Sequence, residues 1–295
     1  GDHVTWTLTR GRSVSIGASP VEVGSALSEW LFQHGGATVF TRATLSTSGS
    51  FEYVKARWGL SDARELSLPS PFDYTEQAAL YLPHGLGDPR DPDFLDRAAA
   101  EVQALVEVTQ GGAFVLCTSL RAMHQLAART RPHLRQRVLV QGEAPNASLL
   151  DTFRADGNAV LFATAGFWQG VDVPGQALRL VIIDKLPFEV PSDPLVSARC
   201  ARLKERKQEP FMHYLVPAAA LTLKQGFGRL IRSRADRGIV ALLDERVSKK
   251  GYGKVFLRSL PAAKLCDTLP GLRAFWSGES APTAALSVPS GAAGV

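Results

Sequence analysis

The chain has 295 residues, 45% hydrophobic and 21% charged, with a net charge of +5. That composition fits a soluble globular protein of one large or two ordinary domains. No apolar run approaches the roughly 18 residues of a membrane span, and the three scattered cysteines (Cys117, Cys200, Cys266) rule out a disulfide framework or a zinc or iron–sulfur spacing.

A reducing, cytoplasmic setting with no membrane partner is therefore expected. Gly1–Trp6 lacks a signal-peptide pattern and an initiator Met, which suggests a piece of a longer chain. Ser19-Pro20 reads as an N-cap with Pro at the first helical position, opening a helix to about Phe32. A strand at Thr38–Phe40 runs into Thr41-Arg42-Ala43-Thr44-Leu45. The stretch Leu66–Asp93 is rich in Pro, Gly and Asp and reads as a linker.

Strand–helix alternation follows. The pattern predicts a helix at Phe94–Thr109, a strand at Ala113–Cys117, a helix at Ser119–Arg129 and a strand at Val138–Gln141. A helix at Ser148–Ala155 and strands at Ala159–Thr164 and Leu178–Leu186 come next. Helices at Pro194–Lys207 and Tyr214–Arg232 and a strand at Gly238–Leu243 complete the series. Near-continuous apolar strands between helices imply an α/β fold with a mostly parallel sheet covered on both faces. Ligands of such sheets sit at the carboxyl ends of the strands. The Ala/Gly/Ser/Pro stretch 279–295 reads as a disordered tail.

Gln225-Gly226-Phe227-Gly228-Arg229-Leu230-Ile231-Arg232 is the most informative motif. On a helix, Arg229 would lie roughly 40° and Arg232 roughly 20° from the line through Gln225. An amide and two guanidiniums aimed one way, with small glycines between, suit a polyanion, because a guanidinium forks onto phosphate oxygens and stays charged. From Arg199 to Arg237 there are ten Lys/Arg against three Asp/Glu, so this segment carries +7 and the rest about −2. An anionic partner such as nucleic acid fits that asymmetry; a solvated helix face explains the Arg199–Lys207 part equally well.

Two strand ends are further candidates. Thr118 and Ser119 follow Ala113–Cys117 and precede the helix carrying Arg121, where hydroxyls and free N–H groups bind phosphates or merely cap the helix. In Thr164–Gly175, glycines allow close backbone approach, Asp172 suits ribose hydroxyls and Thr164 a phosphate. Phe167 and Trp168 suit base stacking or plain packing. Asp184 and Asp244-Glu245 follow apolar strands as Mg²⁺-holding acids do, but no G-x-x-x-x-G-K-[ST] loop accompanies them, so that reading is rejected. No G-x-S-x-G elbow appears.

In order and content these segments resemble the C-terminal part of DinG/XPD-type superfamily-2 DNA helicases, over residues 15 to 260 or so. Thr41–Leu45 looks like motif III, Ala113–Ser119 like motif IV, Thr164–Pro174 like motif V and Gln225–Arg232 like motif VI. Asp184–Phe188, Pro191–Pro194 and Leu243–Arg246 also match the family. The resemblance implies a RecA-like fold and three segments: residues 1–70 as the end of a first lobe, 71–278 as the second lobe, and 279–295 as the tail. It implies an enzyme that spends ATP to move along single-stranded or forked DNA, usually 5′ to 3′, with a role in DNA repair. Arg229, Arg232 and Gln225 would face the γ-phosphate, the two arginines as fingers. Gly170, Asp172, Gly228, Thr41 and Thr44 would bind ATP and couple its state to DNA. Thr118, Ser119, Arg121 and Thr164 would touch DNA phosphates.

The phosphate loop and the Mg²⁺-binding acids would belong to an upstream lobe of the same parent protein, as would an iron–sulfur cluster where the family carries one. This chain alone is accordingly expected to be inactive. Two residues depart from the family pattern: Arg42 stands where motif III has Ser, and Gln169 where motif V has Glu. They leave open a non-catalytic, helicase-like nucleic-acid-binding or regulatory module; because the sequence shows no strand preference, a RecA-like ATPase acting on RNA or protein is a third reading.

Overall fold

The computed structural model describes residues 3–32, 36–42, 44–60, 62–164, 167, 173, 175–228 and 230–279. It begins with an antiparallel hairpin, β1 (His3–Arg10) and β2 (Ser13–Pro20), in register from His3 opposite Pro20 to Arg10 opposite Ser13. Ser19 and Pro20 thus end a strand rather than open a helix. A proline is tolerated at the end of an edge strand, where its missing N–H costs little pairing. Helical backbone starts later, with the short α1 (Gly24–Leu27) and a π-turn at Ser28–Phe32. After it comes α2 (Glu52–Trp58), closed by Gly59 at φ 69°. The strand expected at Thr38–Phe40 does not form. No strand among the described residues offers its backbone a ladder partner. The Phe40 ring instead lies 4.9 Å from that of Trp58.

The rest builds one sheet. In chain order come α3 (Tyr74–Gln77), β3 (Ala78–Tyr81), α4 (Phe94–Thr109), β4 (Ala113–Cys117), α5 (Leu120–Thr130), β5 (Val138–Val140), α6 (Asn146–Asp156), β6 (Val160–Thr164) and β7 (Leu180–Ile183). Then follow α7 (Pro194–Glu205), α8 (Val216–Phe227), β8 (Gly238–Leu242), α9 (Arg246–Lys249), α10 (Gly253–Ser259), β9 (Lys264–Cys266) and α11 (Leu269–Ser277). The strand order is β5-β6-β4-β7-β8-β3-β9, with every pairing parallel. β3 lies inside the stretch read as a linker. Its Ala-Ala-Leu-Tyr run is buried between β8 and β9, too short to stand out among prolines and glycines.

Both faces of the sheet are covered, as expected. Alternate strand residues divide cleanly: Phe114 and Leu116 pack with Phe153 of α6 and with Leu223 and Phe227 of α8. Ala113, Val115 and Cys117 pack with Leu105 of α4, Leu126 of α5 and Phe275 of α11. Each buried Val, Leu or Phe among them is worth about 1.5–3 kcal/mol of transfer free energy.

At the amino ends of the strands one guanidinium ties three of them together. Arg179, just before β7, donates from Nε to Thr109 O, from Nη1 to Gly157 O and Gln176 O, and from Nη2 to Gln110 O and Asn158 Oδ1. Burial pulls its pKa down. Gly111 and Gly112, leading into β4, make this close approach possible. Both have positive φ, and a Cβ on Gly111 would stand 1.9 Å from Asn158 O.

The helix predicted at Tyr214–Arg232 is interrupted twice. A π-turn at Phe211–Leu215 leads into α8, and α8 stops at Phe227 with Gly228 as its C-cap. Two glycines in three residues weaken the helix, and Asp236 Oδ2 captures the backbone N–H groups of Arg232 and Ser233, both at 2.8 Å. Arg232 therefore does not continue the helical line through Gln225.

Candidate nucleic-acid interface and phosphate-binding segment

The carboxyl ends of neighbouring strands line up a row of polar side chains. Gln141 follows β5, Thr164 ends β6, Thr118 and Ser119 follow β4, Asp184 follows β7, and Asp244 and Glu245 lie just beyond β8. After β4 the chain enters α5 on one face of the sheet; after β7 it continues to α8 on the other. Such a reversal between adjacent strands opens the crevice in which ligands of these sheets bind. Thr118 sits at this point.

The predicted hydroxyls are present there, and the structure shows what holds them. Thr118 donates its N–H to Asp184 Oδ1 at 2.9 Å and its hydroxyl to Oδ2 at 3.3 Å. Ser119 Oγ accepts from Ala122 N, so Ser119 caps α5 as the plainer reading had it. Its hydroxyl is exposed, as is Arg121 in the first turn. Thr164 donates both its N–H (2.8 Å) and its hydroxyl (3.0 Å) to Gln141 Oε1. Gln141 carried no motif in the sequence; its part depends on β5 and β6 being neighbours.

The acids at this edge act on the chain itself. Asp184 is 1% exposed. Burial pushes its carboxyl up to about 7, with Lys185 and the Thr118 hydrogen bonds opposing only in part. Asp244 accepts Leu186 N and a two-pronged contact from Arg246, with Nε to Oδ1 at 2.8 Å and Nη2 to Oδ2 at 2.6 Å. Glu245 accepts Leu86 N and Gly87 N and pairs with Lys249. Its burial favours the neutral form, but those partners outweigh it and hold the carboxyl below its usual range. Both acids are thus engaged within the chain itself. No cluster of three or more metal-ligating side chains occurs among the described residues.

The second group lies elsewhere. Leu230 packs on Gly238 at the start of β8, and Gln77, just before β3, donates to Ser233 O and Asp236 O. Residues 230–237 thus sit at the amino ends of β3 and β8, away from the hydroxyl row. Gln225 is half-buried in the last turn of α8. Gly228 is exposed, has a helical φ of −65° and has room for a Cβ, so the fold itself does not demand glycine there. Burial pulls Arg232 below its ordinary value, with Asp236 opposing.

Beside this group, Lys224 Nζ donates to Ser46 O and Ser46 Oγ, both at 3.3 Å. That contact joins α8 to the Thr41–Leu45 segment, in which Thr41 and Arg42 are exposed and Thr44 is buried. Part of the basic Arg199–Lys207 surface also holds the N-terminal segment, with Arg199 on Val21 O and Arg206 on Glu22. Arg229, Gly170, Asp172, Trp168 and Gln169, and the tail 280–295, lie outside the described residues. Phe167 is 6% exposed and packs in the core, not at a base-stacking surface. No helix among the described residues is long and apolar enough to cross a membrane.

Comparison with known proteins agrees with this architecture. Residues 102–263 match the family described as Helicase C-terminal domain. The ATP-dependent DNA helicase YoaA of Escherichia coli is 42% identical over 258 residues, covering 88% of this chain and 41% of the relative. A Bacillus subtilis protein named 3'-5' exonuclease DinG is 35% identical over 278 residues, covering 90% of this chain and 30% of its own length. The chain therefore spans well under half of the curated relatives it matches. Among solved structures, an XPD helicase superposes with a TM-score of 0.66 at 16% identity, covering 91% of this chain and 48% of that one. That likeness identifies the fold as RecA-like. The chain belongs to the helicase C-terminal domain family, and it is similar in sequence to YoaA and DinG proteins and in fold to an XPD helicase.

Proposed function

We propose that this chain is the second RecA-like lobe of an ATP-dependent DNA helicase, preceded by the end of the first lobe. Residues 1–70 would be that end, 71–278 the second lobe and 279–295 a tail. The observation that carries the reading is the row Gln141, Thr164, Thr118, Ser119 along adjacent strand ends, spaced about 4.8 Å apart, at the reversal point of the sheet. A row of uncharged amide and hydroxyl groups suits the phosphates of a single strand.

The donor set at the end of α8 fits a polyphosphate: Gln225, Arg232 and the exposed Gly228 allow close approach, and Arg229 belongs to the same motif. Gln225, Arg229 and Arg232 would hold the terminal phosphates of ATP, the arginines neutralising charge that develops as the phosphoryl group departs. Bound ATP with Mg²⁺ supplies the free energy for movement. The Mg²⁺-holding acids, and an iron–sulfur cluster where present, are assigned to the upstream lobe. Lys224 and Ser46 tie α8 to the Thr41–Thr44 segment, which supports a path from nucleotide state to DNA. We assign the parent 5′ to 3′ movement on single-stranded or forked DNA, in the cytoplasm.

Two measurements test this. The 295-residue chain alone should show no appreciable ATP hydrolysis. Joined to its upstream lobe, the protein should hydrolyse ATP on adding DNA, and Arg229→Ala or Arg232→Ala should lower that rate by about 10³ with DNA binding kept. Robust hydrolysis by the chain alone would overturn the division of labour. A two-lobe protein that binds DNA but never hydrolyses ATP would favour the non-catalytic module, to which Arg42 and Gln169 point.

A further inference from the structure

We propose that Gln141 is itself a DNA contact: its side-chain amide donates to a phosphate at the carboxyl end of β5, and Thr164 serves to aim it. The inference rests on the nucleic-acid reading given above and concerns which atoms carry it.

The argument is an inventory of protons. A backbone N–H can only donate, so the Gln141 atom 2.8 Å from Thr164 N must be the amide oxygen. That fixes the amide orientation. The Thr164 hydroxyl has one proton, and it is directed to the same oxygen at 3.0 Å. Thr164 then has only lone pairs left, and a phosphate oxygen needs a donor. The two N–H bonds of Gln141 Nε2 are the unspent donors at this position, with no hydrogen-bond partner among the described residues. The backbone of Gln141 is pinned by its own N–H to Phe162 O at 2.9 Å, and its side chain is half-buried rather than free to wander. The nearest acid in sequence, Glu143, is engaged by Arg131 at 2.7 Å and does not face an incoming anion unpaired.

The same inventory separates the other hydroxyls. Thr118 directs its proton to Asp184, whereas Ser119 accepts from Ala122 N and keeps its proton to give. Donors therefore stand at Gln141 and Ser119, and the two threonines are positioning residues.

The test uses the full 295-residue chain and a fluorescent 20-nucleotide oligo-dT, with affinity followed over a salt series and folding checked by thermal melts. Gln141→Ala should weaken binding about fivefold with the slope of log affinity against log salt unchanged, because a neutral amide releases no counterion. Gln141→Glu keeps an oxygen to accept both Thr164 donors but removes the outward N–H groups, so it folds like wild type and should weaken binding at least as much. Thr164→Val should lose less than Gln141→Ala. If wild type binds and both Gln141 variants bind as well as it does, the Gln141 assignment is wrong while the DNA reading stands. A larger loss for Thr164→Val than for Gln141→Ala also overturns it, giving the phosphate back to Thr164. If wild type binds no DNA at any salt, the nucleic-acid reading fails first and this assignment with it.

Discussion

The two ends of this parallel sheet are built on different principles. At the amino ends, Arg179 spreads its five hydrogen bonds over carbonyl and amide oxygens of the segments leading into β4, β6 and β7. At the carboxyl ends, a fully buried carboxyl group, Asp184, holds Thr118 by its backbone N–H and its hydroxyl, and these together with Lys185 offset its burial only in part. One end is fastened at every donor. The other keeps a costly group beside the place where a ligand is expected. Residual cost of this kind concentrates at functional sites, where it is offset by stability elsewhere in the fold.

The strongest way to break the comparison is Asp184→Asn. With a folded pKa of about 7 against 3.8 for the free group, the folded state holds a proton that the unfolded state has lost. Stability should be fullest below about pH 4, fall as pH rises toward 7 and then level off. Asp184→Asn should abolish that decline and, at pH 8, exceed wild type by at most about 4 kcal/mol. Parallel urea melts at pH 5 and pH 8 read this directly; equal pH slopes for the two proteins would remove the asymmetry. Arg179→Ala should do the opposite, costing about 3 kcal/mol at every pH through orphaned carbonyls, seen as a lower urea midpoint. The smallest effect belongs to neither end. Lys224→Met keeps the packed stem but loses two long contacts to Ser46, costing about 1 kcal/mol or less. It should speed amide exchange at Ser46–Ser50 while leaving β4 and β6 protected.

The central strands and helices were legible because burial and periodicity coincide there: Phe94–Thr109 and Ala113–Cys117 form as read. The hairpin carries a strand pattern of its own. Val4, Trp6 and Leu8 alternate with polar residues, as do Val14 and Ile16, but the Ser19-Pro20 pair spoke more loudly for a helix. β3 and β9 were too short to announce themselves, since Ala78–Tyr81 becomes a strand only by being gripped between partners distant in sequence. Thr118, Ser119 and Thr164 could be named from strand-end position. Gln141 could not, because its significance depends on Thr164, 23 residues away. The split between Gln225 and Arg232 was likewise hidden, since the capture by Asp236 that ends the helical register is a tertiary event.

Asp244 and Glu245 carry a mechanical consequence. Adjacent in the chain, they grip the backbone of two separate loops, Asp244 at Leu186 and Glu245 at Leu86 and Gly87. The loops leaving β7 and β3 are thereby tied to the one leaving β8 through charged hydrogen bonds. Between β5 and β6 the tie is instead a neutral one, the two contacts of Thr164 with the Gln141 amide oxygen. The rim is therefore fastened by charged groups on the β7–β8–β3 side and by an uncharged amide at Gln141 and Thr164.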